Sequence, residues 1–160
     1  MRRLALLLPL VLVLPACSSG SESEDGGLDD RRAAYVEQLE DACSSANDEL
    51  AALERPTAVA AVPDYAQAVV DLLDRTVQEV STPEPPEEDR EEVTTKVLEP
   101  LADDVARAEE YAAEVRTTAE SCDSAALLAL VQDVPKTTAD VAFMRDYGLV
   151  ECAEAADTSS

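Results

Sequence analysis

The sequence predicts an all-α protein: an antiparallel, up-down-up-down four-helix bundle over residues 29–156. Three observations predict it. Apolar residues make up 46% of the 160-residue chain, yet aromatics only 3%, with no Trp. A core so built of Leu, Val and Ala suits packed helices better than sheets. Four stretches repeat apolar residues at helical spacing, and none alternates at the strand period of two. Prolines mark the breaks between them, and the short links imply antiparallel neighbours.

The first helix is expected at about 29–55. Val36, Leu39, Cys43, Ala46, Leu50 and Leu53 fall on one stripe. Asp29 and Asp30 stand where the helix dipole favours acids, and Arg55-Pro56 closes the segment. After the apolar link Thr57–Val62, Pro63-Asp64 opens the second helix in the first-turn position that tolerates proline. Its inner stripe is Tyr65, Val69, Leu72, Leu73, Thr76 and Val80, with Asp71 and Arg75 paired outside.

The proline-rich Ser81–Pro86 stretch breaks the chain. Pro86-Glu87-Glu88-Asp89 then starts a third helix to about 120, with Val93, Val97, Leu101, Val105, Ala108, Ala112, Val115 and Ala119 inside. Pro100 predicts a kink or restart within it. Glu92–Lys96 and Asp103–Arg107 are expected as outer pairs. Asp123 is the expected N-cap of the fourth helix, whose inner face is Leu127, Leu130, Val134, Val141 and Met144. Pro135 predicts a bend in it, Gly148 a stop, and Asp157–Ser160 a loose tail.

The N-terminus carries a different signal. Arg2-Arg3 precedes an apolar run, Leu4–Ala16, that is too short to span a membrane and suits a signal-peptide core. The run ends Leu14-Pro15-Ala16-Cys17, which resembles the bacterial lipobox, although Pro15 departs from the usual small or branched residue there. The resemblance implies cleavage after Ala16, with diacylglycerol attached to Cys17 and stable anchoring to the outer face of the cell membrane. Residues 1–16 are then a removed leader and 17–28 a lipidated tether, non-periodic and rich in Gly and Ser.

Net charge is −23. That opposes nucleic-acid binding, which needs clustered Lys and Arg, and predicts a solvated, monomeric surface. A cationic protein or a small molecule remains as partner. The absence of His removes His-based acid–base catalysis, catalytic triads and His-ligated zinc. No cofactor, metal site or catalytic residue is expected. The densest acid run, Glu84, Glu87, Glu88, Asp89, Glu91 and Glu92, lacks a preorganised calcium loop and is read as a solvated helix start, as is Asp103-Asp104. A carboxylate-based or metal-dependent hydrolase is the rival enzyme reading, and a structural envelope protein the rival non-enzyme one.

With Cys17 assigned to lipid, Cys43, Cys122 and Cys152 face an oxidising compartment, so one bridge is expected. In an up-down bundle Cys122 and Cys152 lie at opposite ends. Cys43–Cys152 is the expected pair, with Cys43–Cys122 the competitor. Asn47 and Tyr147 are candidate buried polar anchors near that bridge.

Two segments, Cys43-Ser-Ser-Ala-Asn47-Asp-Glu-Leu50-Ala-Ala-Leu53 and Tyr147-Gly-Leu-Val-Glu-Cys152, resemble signatures of small uncharacterised lipoproteins of actinobacteria. The resemblance implies the same Cys43–Cys152 pairing and brings no activity with it. By elimination, and with the anchor from the lipobox, the expected protein is a membrane-anchored interaction or small-ligand-binding module that is not an enzyme.

Overall fold

The computed structural model describes residues 24–158, with side chains over 27–157. The expected leader, Cys17 and the first part of the tether lie outside the described residues. Within them the chain is all-helical and has no strand. Helix α1 is Glu24–Ala52. A short 3-10 turn, Val59–Ala61, leads into α2, Val62–Val80. Helix α3, Arg90–Val93, passes through a π turn, Thr94–Leu98, into α4, Glu99–Glu120. Three shorter helices follow: α5 at Ser124–Leu130, α6 at Val141–Tyr147 and α7 at Val150–Thr158. Helix α2 packs between α1 and α4, while α7 lies on α1 and against α6.

The boundaries expected from sequence shift at both ends. Helix α1 begins at Glu24, so 24–28 are helical rather than tether, and α7 carries helix to Thr158 where a loose tail was expected. The four-helix arrangement is not confirmed, because the fourth helix is not one helix. It is α5, a non-helical strap over residues 131–140, and α6. Pro135 does more than bend the chain: it lacks an N–H and drives Val134 out of the helical region. Helix resumes only where Asp140 caps the Phe143 N–H at 2.9 Å. Asp123 caps α5 as expected, its Oδ1 accepting from the Ala125 and Ala126 amides at 3.1 and 2.9 Å.

Pro100 has a consequence beyond a kink. With no N–H it cannot close the helical bond to the carbonyl of Lys96, four residues back. The chain runs through the π turn just before it. The Lys96 carbonyl instead accepts the Asp140 N–H at 2.9 Å, which fixes the far end of the strap to this break.

Gly148 ends α6 at φ +102, a left-handed value that favours glycine. The Leu149 N–H reaches back to the Met144 carbonyl at 2.8 Å, closing the reversal into α7. The first amides of α7 are then capped by Glu40 of α1, whose carboxylate accepts from Glu151 N–H at 3.0 and 3.1 Å and from Cys152 N–H at 3.4 Å. The Cys43–Cys152 disulfide covalently ties the same two helices.

The packed core surrounds that bridge: Tyr35, Leu39 and Cys43 of α1, Val80, Val93, Val97, Met144, Leu149, Cys152 and Ala153. Tyr35 takes the innermost place at the start of α1, and Val36 is only partly buried beside it. Leu50 and Leu53 are half-buried, so the apolar stripe of α1 is fully covered only in its first half.

Candidate functional site

The aromatic residues divide between two ends of the domain. At the packed end, Tyr147 stacks on Phe143 with centroids 5.5 Å apart and meets Tyr35 edge-on at 6.4 Å. The Tyr147 hydroxyl donates to Asp89 Oδ2 at 2.9 Å. Arg32 clamps the same carboxylate with Nε and Nη2 at 2.8 and 2.5 Å and lies over the Tyr147 ring. The Arg32 hydrogen bond, with further help from Tyr147, holds the Asp89 carboxyl below its usual range against the opposing effect of burial. Asp89 was expected in a solvated acid run. It is 9% exposed and acts as a clamp, whereas the other acids of that run are exposed.

The other end is hollow. Between α2, α4, the strap and α7 lies a cavity of about 430 Å³. Helix α2 contributes Tyr65, Val69, Leu73 and Thr76 at spacings of four and three, a stripe that the periodicity marked as apolar but that is only half-covered. Its fully buried residues are Val70, Leu72, Val77 and Val80. Helix α4 contributes Leu101, Asp104, Ala108, Tyr111 and Val115, and the strap contributes Val131, Val134, Pro135, Lys136 and Thr137. Met144, Ala156 and the Cys43–Cys152 bridge form the floor. The walls are mostly short side chains, Val and Ala above all, on α2 and α4 with the strap lying across them. Such residues do not fill the space, and Tyr65 and Tyr111 stand in its wall without closing it.

The strap is held over the cavity by one carboxylate. Asp104 is 7% exposed. It accepts from Thr137 Oγ1 at 2.7 Å, from Thr138 Oγ1 at 2.6 Å and from the Thr138 N–H at 3.0 and 3.2 Å. Arg107 pairs with it through Nη2, which also reaches the Lys136 carbonyl and Thr138 Oγ1 at 3.2 Å each. Burial works against the charged carboxylate, but the donors from Thr138, Thr137 and Arg107 outweigh it and hold Asp104 below the usual carboxyl range. Tyr111 donates to the Leu130 carbonyl at 3.2 Å, joining α4 to the end of α5, and burial raises its hydroxyl's pKa.

Helical spacing alone puts Asp103-Asp104 in solvent and pairs Arg107 with Asp103. Asp104 is in fact interior and is the partner of Arg107. A signal was present: Leu101, Asp104, Ala108, Tyr111 and Val115 step by three and four on the inward face. The expected Asp71–Arg75 pair is likewise replaced: Arg75 bonds Glu49 of α1 at 2.9 Å, and Asp71 accepts from Gln67. Glu92–Lys96 forms as expected at 2.7 Å.

Cys43 and Cys152 are paired, and Cys122 is free and exposed at the α4–α5 turn. Asn47 donates to the Glu151 carbonyl at 3.3 Å, beside the bridge as anticipated, while Tyr147 is spent on Asp89. Among the described residues no group of three or more His, Cys, Asp or Glu side chains is placed to hold a metal ion. No described helix is long and apolar enough to cross a membrane.

No protein-family model matches the chain, and neither a curated protein nor a solved structure was found that matches it.

Proposed function

We propose that this protein is a lipoprotein, anchored through Cys17 to the outer face of the cell membrane, whose helical domain binds a small apolar ligand without transforming it. The observation that carries the binding reading is the cavity of about 430 Å³, which lies in the range of small-molecule sites and combines apolar walls with a few convergent polar groups. A non-catalytic role is supported by the chain having no His and by the cavity's single acid, Asp104, being occupied by Thr137, Thr138 and Arg107. The anchor rests on Leu14-Pro15-Ala16-Cys17 and the short apolar run before it. Kinship with small actinobacterial lipoproteins rests on the segments around Cys43 and Cys152. On this reading the domain is an up-down-up-down bundle whose fourth helix is broken, and the break supplies the strap.

Ligand binding is tested with the neutral fluorophore phenylnaphthylamine. The protein raises its emission, and Ala108→Trp, which fills the cavity from α4, abolishes the rise while the far-ultraviolet spectrum stays helical. Emission unchanged by Ala108→Trp would refute the site. The anchor is tested by Cys17→Ala, which releases the protein from the membrane fraction. Continued membrane retention would refute it.

A further inference from the structure

The charges around the cavity do not sample the chain. Acids outnumber bases 35 to 12 overall. The charged residues lining the cavity are one acid, Asp104, and two bases, Arg107 and Lys136. Helices α2 and α7 bring no charge to it, so α4 and the strap supply all three. The acid is spent: hydroxyls, a backbone amide and a guanidinium surround it. The bases are not. Only Nη2 of Arg107 is engaged, which leaves its Nε and Nη1 donors without a partner among the described residues, and Lys136 has no side-chain partner there. Arg107 Nη2 reaches the backbone carbonyl of Lys136 at 3.2 Å, so both residues belong to the edge where α4 meets the strap. In so acidic a protein, two bases against one acid in the lining of an apolar cavity are a reversal of sign among the lining residues, with Asp133 and Glu114 acting on Tyr111 from outside the lining.

We propose that the cavity takes a single-chain amphiphile with an anionic head. Its tail lies in the slot walled by Val69, Leu73 and Ala108, and its head meets Arg107 and Lys136 at the strap. This rests on the ligand-binding reading above and adds the class of ligand. The apolar walls supply tail affinity in proportion to the area removed from water. A guanidinium edge and an ammonium suit a carboxylate or a phosphate, to which they make charge-assisted hydrogen bonds. A fatty acid and a lysophospholipid share this chemistry.

The test titrates the full chain with four probes of equal chain length: palmitate, palmitoyl lysophosphatidic acid, hexadecanol and hexadecyltrimethylammonium. One or both anions are expected to bind at least about tenfold tighter than hexadecanol, and the cation weakest. Which anion is preferred identifies a carboxylate or a phosphate as the natural head. Lys136→Glu changes an exposed, unpartnered side chain, so the fold is kept. It is expected to weaken anion binding about tenfold and leave hexadecanol unchanged. Hexadecanol bound as tightly as the anions, or anion affinity indifferent to Lys136→Glu, overturns the head-group assignment and leaves the cavity standing. Failure of all four probes overturns the ligand-binding reading itself.

Discussion

Asp104 on α4 binds Thr138 on the strap twice: it accepts the backbone N–H at 3.0 Å and the hydroxyl at 2.6 Å. The two residues are 34 positions apart, and this pair fixes the strap over the cavity. A buried carboxylate so surrounded is a latch, because removing it leaves several donors without an acceptor in a place water reaches poorly.

Asp104→Ala is therefore expected to cost about 1–3 kcal/mol of stability and to loosen the strap selectively. Amide hydrogen exchange reads both effects. Thr138 and Ala139 should exchange much faster while the middle of α2 keeps its protection. Equal acceleration everywhere would mean that Asp104 is not a local latch.

Acid should unfold the protein through two carboxylates. Asp89 is held low by Arg32 and Tyr147 against burial, and Asp104 by Thr138, Thr137 and Arg107, also against burial. Because each folded value lies below the unfolded one, the unfolded chain binds more protons in the acid range. The stability these groups contribute is complete above the ordinary carboxyl value of 3.8 and is lost as pH falls through the folded values. In urea titrations from about pH 5 to pH 2, Asp89→Asn combined with Asp104→Asn should lower stability at neutral pH and flatten its fall on acidification. A slope as steep as in the parent chain would refute this.

The Cys43–Cys152 bridge closes a separation of 109 residues and forms part of the cavity floor. Its loss frees a long loop in the unfolded state and removes the covalent tie between α7 and α1, leaving the Glu40 and Asn47 hydrogen bonds to hold them. Cys43→Ser with Cys152→Ser is expected to cost about 2–4 kcal/mol and to lower Tm by on the order of 10 °C. Phenylnaphthylamine binding should weaken in the same variant. Calorimetry with and without reductant checks the first expectation, since reductant should move the parent towards the variant.

Cys122 is the one non-glycine residue with positive φ among the described residues, at +57, just past the end of α4. A side chain is disfavoured in that conformation, and the thiol has no partner thiol. Cys122→Gly should raise stability by roughly 0.5–1 kcal/mol, because glycine reaches the left-handed turn without the Cβ clash. Thermal unfolding of the two proteins decides it; a lower Tm for the glycine variant would show that the turn is not strained.

The sequence by itself determined the helical class, the caps at Asp123 and Gly148 and an irregularity at Pro100, and it favoured Cys43–Cys152 over Cys43–Cys122. Each rests on local chemistry: a missing N–H, a left-handed φ, an oxygen placed before a helix, or residues that a short reversal brings to one helix. The tertiary structure alone decided the strap, the burial of Asp89 and Asp104, and the cavity. Periodicity shows which side of a helix is apolar, and by that measure Val69, Leu73 and Ala108, which line the cavity, stand level with Leu72 and Val97, which are buried outside it. Whether an apolar face meets another side chain or empty space depends on the distance between helices. Here the strap and its Asp104 latch span α4 and the start of α6, and no single segment of the chain encodes that separation.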